Sequence, residues 1–347
     1  MQQIKTWLLW ALVVLTGVAA FTTLALNRGE TVNAVWMITA AVSVYAIAYR
    51  FYSLYIAKNV MQLEARRMTP AERHNDGLDY VPTHKGVLFG HHFAAIAGAG
   101  PLVGPVLAAQ MGYLPGTLWI IFGVVFAGAV QDMLVLFISM RRDGKSLGDI
   151  IKQEMGTVPG IIASIGILMI MVIILAVLAL IVVKALTNSP WGTFTIAMTI
   201  PIALFMGIYS RYIRPGKIGE ISVVGFVLLM AAIHFGGMVA QSAWAPMFTL
   251  TGVQLTWALI IYGFIAAVLP VWLLLTPRDY LSTFLKIGTI VALAVGILVV
   301  GPALQMPAVT KFVDGTGPVF SGNLFPFLFI TIACGAVSGF HALISSG

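Results

Sequence analysis

The sequence contains few charged residues: Asp, Glu, Lys and Arg together make up 9% of its 347 positions. A typical soluble domain is roughly one quarter charged and under one half apolar, whereas 60% of this chain is hydrophobic. A soluble globule of this size cannot bury so much apolar surface. The shortage of charge therefore argues against a soluble protein and predicts one that crosses a membrane.

Cysteine and the common catalytic motifs are also missing or scarce. Cys334 is the single cysteine, so an intrachain disulfide is excluded, and no Cys/His metal spacing is present. The sequence has no phosphate-binding glycine loop, nucleophile elbow, HExxH motif or glycosidase-like carboxylate pair. We therefore expect neither an enzyme nor a cofactor. The net charge of +7 comes without a basic stripe interleaved with aromatic residues, which argues against nucleic-acid binding.

Long apolar runs dominate the chain, and a membrane-spanning helix needs about 20 mostly apolar residues. The run after Lys5 is longer than a signal-peptide core and has no clear cleavage site, so we interpret it as the first span. The polar segment 58–85 is the one long loop, and we expect a short surface helix in it. Ten spans are predicted, at roughly 7–26, 33–57, 86–110, 115–140, 160–184, 191–210, 218–240, 253–275, 284–304 and 322–347.

The distribution of Lys and Arg predicts the orientation of these spans. With the N-terminus inside, 15 of the 19 basic residues fall in inner segments, and Arg278 and Lys286 are counted among them. The outer loops hold Arg28 and Lys311. This asymmetry is the positive-inside pattern, and it predicts a cytoplasmic N-terminus.

The third predicted span combines glycine and proline in its middle, at Gly98, Gly100, Pro101 and Gly104. Proline removes a backbone donor, and glycine permits backbone conformations that other residues resist. The pattern predicts a broken helix, and broken spans form the substrate and ion sites of many secondary transporters. The alternative is a kinked helix whose small residues pack closely against a neighbour.

Polar residues inside the predicted spans are the other functional candidates. Asp132, preceded by Gln131, lies in the fourth span, where a carboxylate is expensive unless it is paired, hydrated or protonated. We expect it to couple transport to a cation or proton, and the alternative is a structural hydrogen bond. His91 and His92 point about 100° apart on a helix, so at most one faces a given cavity. Either could relay protons or simply lie at the membrane interface.

The last predicted span carries Ser338, His341, Ser345 and Ser346. The serine hydroxyl groups are candidate ligands for Na⁺ or a carboxylate, but such groups also bond back to their own helix. The chain stops at the edge of this span without a polar tail, so we expect it to be a truncated product. A second break or a bent exit from the span is predicted near Pro270 and Pro277.

Three stretches resemble the carbon starvation protein A family. The first is GHHFAAIAGAGPLVGPVLAAQMGYLPGTLWIIFGVVFAGAVQDM followed by RRDGKSLGDI, and the others are PRDYLSTFLKIG and SGFHALISSG. The resemblance spans the whole chain, and family members continue well beyond the last block. It implies a bacterial inner-membrane secondary transporter, linked to carbon scarcity, that moves short peptides, or pyruvate together with protons.

The resemblance also implies the amino acid–polyamine–cation superfamily fold, a LeuT-like core of two inverted five-helix repeats. The predicted fold class is thus an all-α polytopic membrane protein. Residues 1–57 would form two extra helices, 58–85 a cytoplasmic loop, 86–240 the first repeat, and 241–347 the incomplete second repeat.

In this interpretation the broken third span presents the N-terminus of its half-helix to the substrate carboxylate. Asp132 and one of His91 or His92 carry the coupling proton, and Ser345 and Ser346 are the candidate sodium ligands. The expected partners are a small-molecule substrate and the lipid bilayer, and nothing in the sequence indicates an oligomeric state. Two alternatives are a transport-inactive nutrient sensor, which would bind without flux, and a channel, which would conduct without saturation.

Overall fold

The computed structural model describes residues 32–78, 80–98 and 100–346, together with Leu12, Thr16, Val18, Thr22 and Thr23. The predicted first span, 7–26, lies outside these residues apart from the isolated positions. The described part is helical, with one isolated antiparallel bridge between Asn33 and Ala303. The protein is an all-α polytopic membrane protein, as predicted from its composition.

Within the described residues, seven helical segments are long and apolar enough to cross a membrane, with Leu324–Ile344 counted as one of them. The count is eight if the bent pair Lys85–Ile96 and Gly100–Met111 forms one span. The helices are α1 Ala34–Val60, α2 Pro70–Arg73, α3 Lys85–Ile96, α4 Gly100–Met111, α5 Tyr113–Arg141, α6 Leu147–Met155, α7 Thr157–Leu186, α8 Pro190–Ile213, α9 Ile218–Ala240, α10 Ala245–Phe248, α11 Gly252–Val268, α12 Leu275–Val300, α13 Leu324–Ala336 and α14 Gly339–Ile344.

Nine of the ten predicted spans have a helical counterpart, and the boundaries differ most between α11 and α12. The span predicted at 253–275 ends as a helix at Val268, because Leu269 precedes Pro270 and adopts extended angles (φ −72°, ψ 148°). Helix α12 then begins at Leu275, with Pro277 in its first turn, where proline is tolerated. Arg278, which the predicted bounds place between two spans, lies in α12. Lys286, which was counted with the inner segments, lies in α12 as well.

Local sequence signals account for the polar segments between the spans. Thr69 and Glu72 form a reciprocal capping box at the start of α2, the short surface helix expected in segment 58–85. Ser146 caps α6 by accepting a hydrogen bond from the Asp149 backbone N–H. The chain then turns at Gly156, whose φ of 100° suits glycine, and enters α7.

The two halves of the third predicted span pack against different helices. Helix α3 packs against α12, and α4 packs against α13. Around α4 the core consists of Ala108 and Met111 with Leu328 and Ile332 of α13. A second core joins α8, α9 and α12 around Leu281, which is fully buried. The break in the helix between α3 and α4 therefore lies where two packed groups of helices meet.

Candidate functional site

The third predicted span is broken, as the glycine and proline pattern predicts. Helix α3 ends at Ile96, Ala97 leaves the helical region (φ −77°, ψ 61°), and α4 begins at Gly100 at an angle of 43° to α3. Pro105 lies inside α4 and has no N–H to bond to the preceding turn. A broken span is stable only where protein or water satisfies the freed backbone groups.

The glycines of this span have two different surroundings. A Cβ atom at Gly100 would overlap the side chain of Cys334, and one at Gly104 would overlap the backbone oxygen of Thr331. Both residues therefore allow α4 to approach α13 closely, which is the small-residue packing left open as an alternative. Gly98 is different, because a Cβ atom there would meet nothing within 4 Å. The open space at the break lies beside Gly98 rather than Gly100.

Buried His341 and partly buried Asp132 form a pair between α5 and α14. His341 Nδ1 lies 3.2 Å from Asp132 Oδ2, and the two side chains are 7% and 23% exposed, respectively. Asp132 is nine residues, or about 13 Å of helix, before Arg141 at the end of its span. The partner of the carboxylate thus comes from another helix.

A second break in a helix, between α13 and α14, positions His341. Helix α13 ends at Ala336, Val337 is non-helical (φ −143°, ψ 76°), and Ser338 caps α14 by accepting a hydrogen bond from Phe340 N at 3.1 Å. Gln131 Nε2 donates to Ser338 O at 3.0 Å and so joins α5 to this interruption. The signal for the interruption was the sequence Ser338-Gly339, a capping residue followed by glycine, which sequence analysis used only as a source of hydroxyl ligands.

Three buried polar atoms around this pair have no hydrogen-bond partner in the described part of the chain. They are Asp132 Oδ1, His341 Nε2 and the hydroxyl oxygen of Ser345, a residue only 3% exposed. Ser346, which follows α14, instead donates to Ala342 O in the last turn of that helix at 2.9 Å. Buried polar atoms are normally satisfied, so this group has the capacity to bind a proton, a water molecule or a small ion.

The adjacent histidines face different helices, as their spacing on α3 predicts. His91 Nε2 lies 3.2 Å from Asp279 Oδ2 of α12. His92 is close enough to Asp132 and His341 for their charges to act on its ring. One imidazole thus belongs to the interface with α12, and the other lies near the pair of Asp132 and His341.

Helix α12 contributes polar residues that sequence analysis missed as part of the site. Thr283 Oγ1 donates a hydrogen bond to Gly90 O at 2.7 Å, and Lys286 Nζ donates to Ala94 O at 2.6 Å. Together with Asp279 they lie at positions i, i+4 and i+7, which share one face of a helix. That spacing is visible in the sequence, but it was hidden because the first turns of α12 were assigned to a loop.

Two other kinds of site, a metal site and a separate pocket, were considered for the described residues. In the described ranges, no group of three or more His, Cys, Asp and Glu side chains is arranged to hold a metal ion. An apolar cleft of about 230 Å³ lies between α1 and α5 and is lined by residues that include Tyr45, Tyr49 and Tyr52. Its lining offers no charged group for a carboxylate, so the polar groups at the two interruptions remain the candidate site.

Comparisons with known proteins agree with the resemblance found in the sequence. The family described as "Carbon starvation protein CstA" matches residues 33–347. The chain is 71% identical over 342 residues to the peptide transporter CstA of Escherichia coli K12, covering 98% of this chain and 49% of that protein. It is 66% identical over 339 residues to the pyruvate/proton symporter BtsT of the same strain, covering 97% and 47%.

The chain spans about half the length of the curated relatives that it matches. The peptide transporter CstA of Campylobacter jejuni is 62% identical over 349 residues, which cover all of this chain and 50% of that protein. No solved structure matches the chain.

Proposed function

We propose that this chain, which belongs to the carbon starvation protein CstA family, takes part in secondary active import of a small carbon source. The proposed substrate is a short peptide or pyruvate, because relatives are named for these two activities. Both substrates carry a carboxylate. Import would proceed across the bacterial inner membrane during carbon starvation, and the protein would act as a transporter rather than an enzyme.

The observation that carries this proposal is the pair of Asp132 and His341. A carboxylate inside a membrane span is expensive unless it is paired or protonated, and an imidazole can gain or lose a proton near neutral pH. The pair can therefore hold one proton within the span, because the carboxylate and the protonated imidazole are partners for each other. Binding and release of that proton would couple substrate movement to the proton gradient.

Sodium is the second candidate for the coupling ion. The free oxygens of Asp132 and Ser345 are hard ligands of the kind that Na⁺ prefers, whereas an imidazole nitrogen is better suited to a proton. The presence of His341 in the pair therefore favours the proton. The arrangement of the spans as two inverted repeats, with a cytoplasmic N-terminus, is proposed together with this mechanism.

The test uses Asp132→Asn in the native protein, purified and reconstituted into liposomes. Asparagine keeps the size and hydrogen bonding of the side chain but cannot ionise. We expect the variant to exchange labelled substrate across the membrane but to lose accumulation driven by an imposed pH gradient. A sodium gradient is imposed in a parallel experiment and should drive no accumulation in the wild type.

Glu64→Gln is the matched control, since it also neutralises one carboxylate but lies exposed in segment 58–85. Unchanged accumulation by Asp132→Asn contradicts the coupling role. Failure of that variant to fold or insert assigns Asp132 to structure instead. Saturable binding without any flux in the wild type indicates a sensor, and flux that does not saturate with substrate indicates a channel.

A further inference from the structure

We infer that Lys286 binds the carboxylate group of the transported substrate at the break between α3 and α4. This inference rests on the proposed function, because it concerns the same broken span and names the group that recognises the substrate. Lys286 belongs to α12, 11 residues after Leu275, which corresponds to about 16 Å of helix. Its ammonium group therefore lies well inside a span rather than in a cytoplasmic loop.

The ammonium group lies at the edge of the break. Ala94 is in the last turn of α3, and the partner that would continue the helix, Gly98 N, instead donates to Ile96 O at 2.8 Å. The carbonyl of Ala94 is thus one of the orphan acceptors of a helix end, and Lys286 Nζ donates to it at 2.6 Å. This contact uses one of the three donors of the ammonium group.

The charges around Lys286 favour an anion. Asp279 lies seven residues before Lys286, on the same face of α12, and Arg278 precedes Asp279 on the same helix. Asp279 already pairs with His91. Arg278 is held by Thr199, with Nε 3.3 Å from Oγ1, and by the ring of Tyr262, with Cζ 4.6 Å from the ring centroid.

In the part of the chain that the structure describes, neither Arg278 nor Lys286 forms an ion pair with a carboxylate. Two cations therefore accompany one acidic group on this helix, inside an apolar span. A charge at this depth is expensive unless it has a partner, and a partner supplied by the substrate would be present only when substrate is bound.

A carboxylate is the anion that fits the substrates proposed above. A peptide and pyruvate differ in size and in their other polar groups, but both end in a carboxylate. The free donors of Lys286 can bind this group through charge-assisted hydrogen bonds, which are stronger than neutral ones. The open space beside Gly98 gives the carboxylate access to the break.

The experiment compares each acid with its neutral amide. Binding of dialanine and dialanine amide, and of pyruvate and pyruvamide, is measured on the native protein by competition with substrate uptake into liposomes. A hydrogen bond to a charged group corresponds to roughly a tenfold to hundredfold change in affinity. We expect the wild type to prefer the transported acid over its amide by at least about tenfold.

Three variants separate the charge of Lys286 from its contact with Ala94. Lys286→Gln keeps a donor for the carbonyl but removes the charge, Lys286→Met removes both, and Lys286→Arg keeps the charge. We expect the Gln and Met variants to lose the preference for the acid and the Arg variant to retain most of it. Lys184→Met, at the exposed end of α7, is the matched control and should leave the preference unchanged.

A purely structural role for Lys286 would weaken the binding of acid and amide equally, so an unchanged preference in Lys286→Gln overturns the inference. Equal binding of acid and amide by the wild type overturns it as well, even if no variant folds. Saturable uptake by the wild type with either of these results leaves the proposed function intact. The absence of saturable uptake of both acids by the wild type contradicts the proposed function and the inference together.

Discussion

Neighbouring residues in the sequence have separate roles when a helix directs them to different partners. His91 contacts Asp279 of α12, whereas His92 lies near Asp132 and His341. Asp132 itself is not an isolated intramembrane charge, because His341 lies 3.2 Å away. At the scale of single residues, the site therefore consists of paired groups, each built across an interface between helices.

The pairing of Asp132 with His341 predicts non-additive effects on stability. Asp132→Leu leaves His341 Nδ1 buried without a partner, which should lower the free energy of unfolding by about 1–3 kcal/mol. His341→Leu should have a similar effect, and the double variant should lose less than the sum of the two. Thermal unfolding of the purified protein in detergent measures the three values.

Ser346→Ala serves as the control for this comparison, because its hydroxyl group bonds only to the last turn of α14 and its removal should be nearly neutral. Additive effects of the two leucine substitutions, within about 0.5 kcal/mol, would show that the two side chains do not interact.

At the scale of elements, glycine has two uses in the broken span. Gly100 and Gly104 allow α4 to pack closely on α13, while Gly98 borders open space. Gly128 has the same packing role on α5, where a Cβ atom would overlap the backbone oxygen of Ala336. The two interruptions of the chain, before α4 and before α14, are thus held by close approaches between helices.

This difference predicts opposite outcomes for two alanine substitutions that lie only two residues apart in the sequence. Gly100→Ala should lower the melting temperature, because overpacking in a close interface costs about 1–3 kcal/mol. Gly98→Ala should leave the melting temperature nearly unchanged but weaken substrate binding, since it adds bulk to the open space. Melting curves and equilibrium binding, measured on both variants, test this.

Gly166→Ala on α7 is the control, because a Cβ atom there meets nothing within 4 Å and alanine favours a helix. If Gly100→Ala leaves the melting temperature unchanged but impairs substrate binding, the prediction is wrong and Gly100 lies at the binding site.

At the scale of the whole molecule, the broken span joins two packed groups of helices, since α3 packs against α12 and α4 against α13. The Lys and Arg distribution predicts the orientation of this assembly in the membrane. Segment 58–85 should face the cytoplasm, and the loop that contains Lys311 should face outward.

Single-cysteine labelling in a Cys334→Ser background tests this topology. Arg67→Cys and Lys311→Cys introduce the reporters at exposed positions. In intact cells, a membrane-impermeant reagent should label the cysteine at position 311 and not the one at position 67. After the cells are opened, both cysteines should be labelled. Labelling at position 67 and not at position 311 in intact cells would overturn the orientation.

The sequence by itself determined the fold class, most of the spans and the break in the third span. These features depend on local properties: apolar length, the missing N–H of proline and the scarcity of charge. It also identified Asp132 as a costly group that must be paired, hydrated or protonated. Local patterns suffice here because a membrane requires each span to satisfy its backbone within the same segment.

Only the tertiary structure decided which groups meet. The pairing of Asp132 with His341 joins residues 209 positions apart, and that of Lys286 with Ala94 joins residues 192 apart. The helical periodicity of one segment shows which of its residues share a face, but it does not show which face of a distant helix packs against them. The start of α12 was misjudged for a related reason: Pro270 and Pro277 signal interruption, but only packing against α3 and α8 determines where the helix resumes.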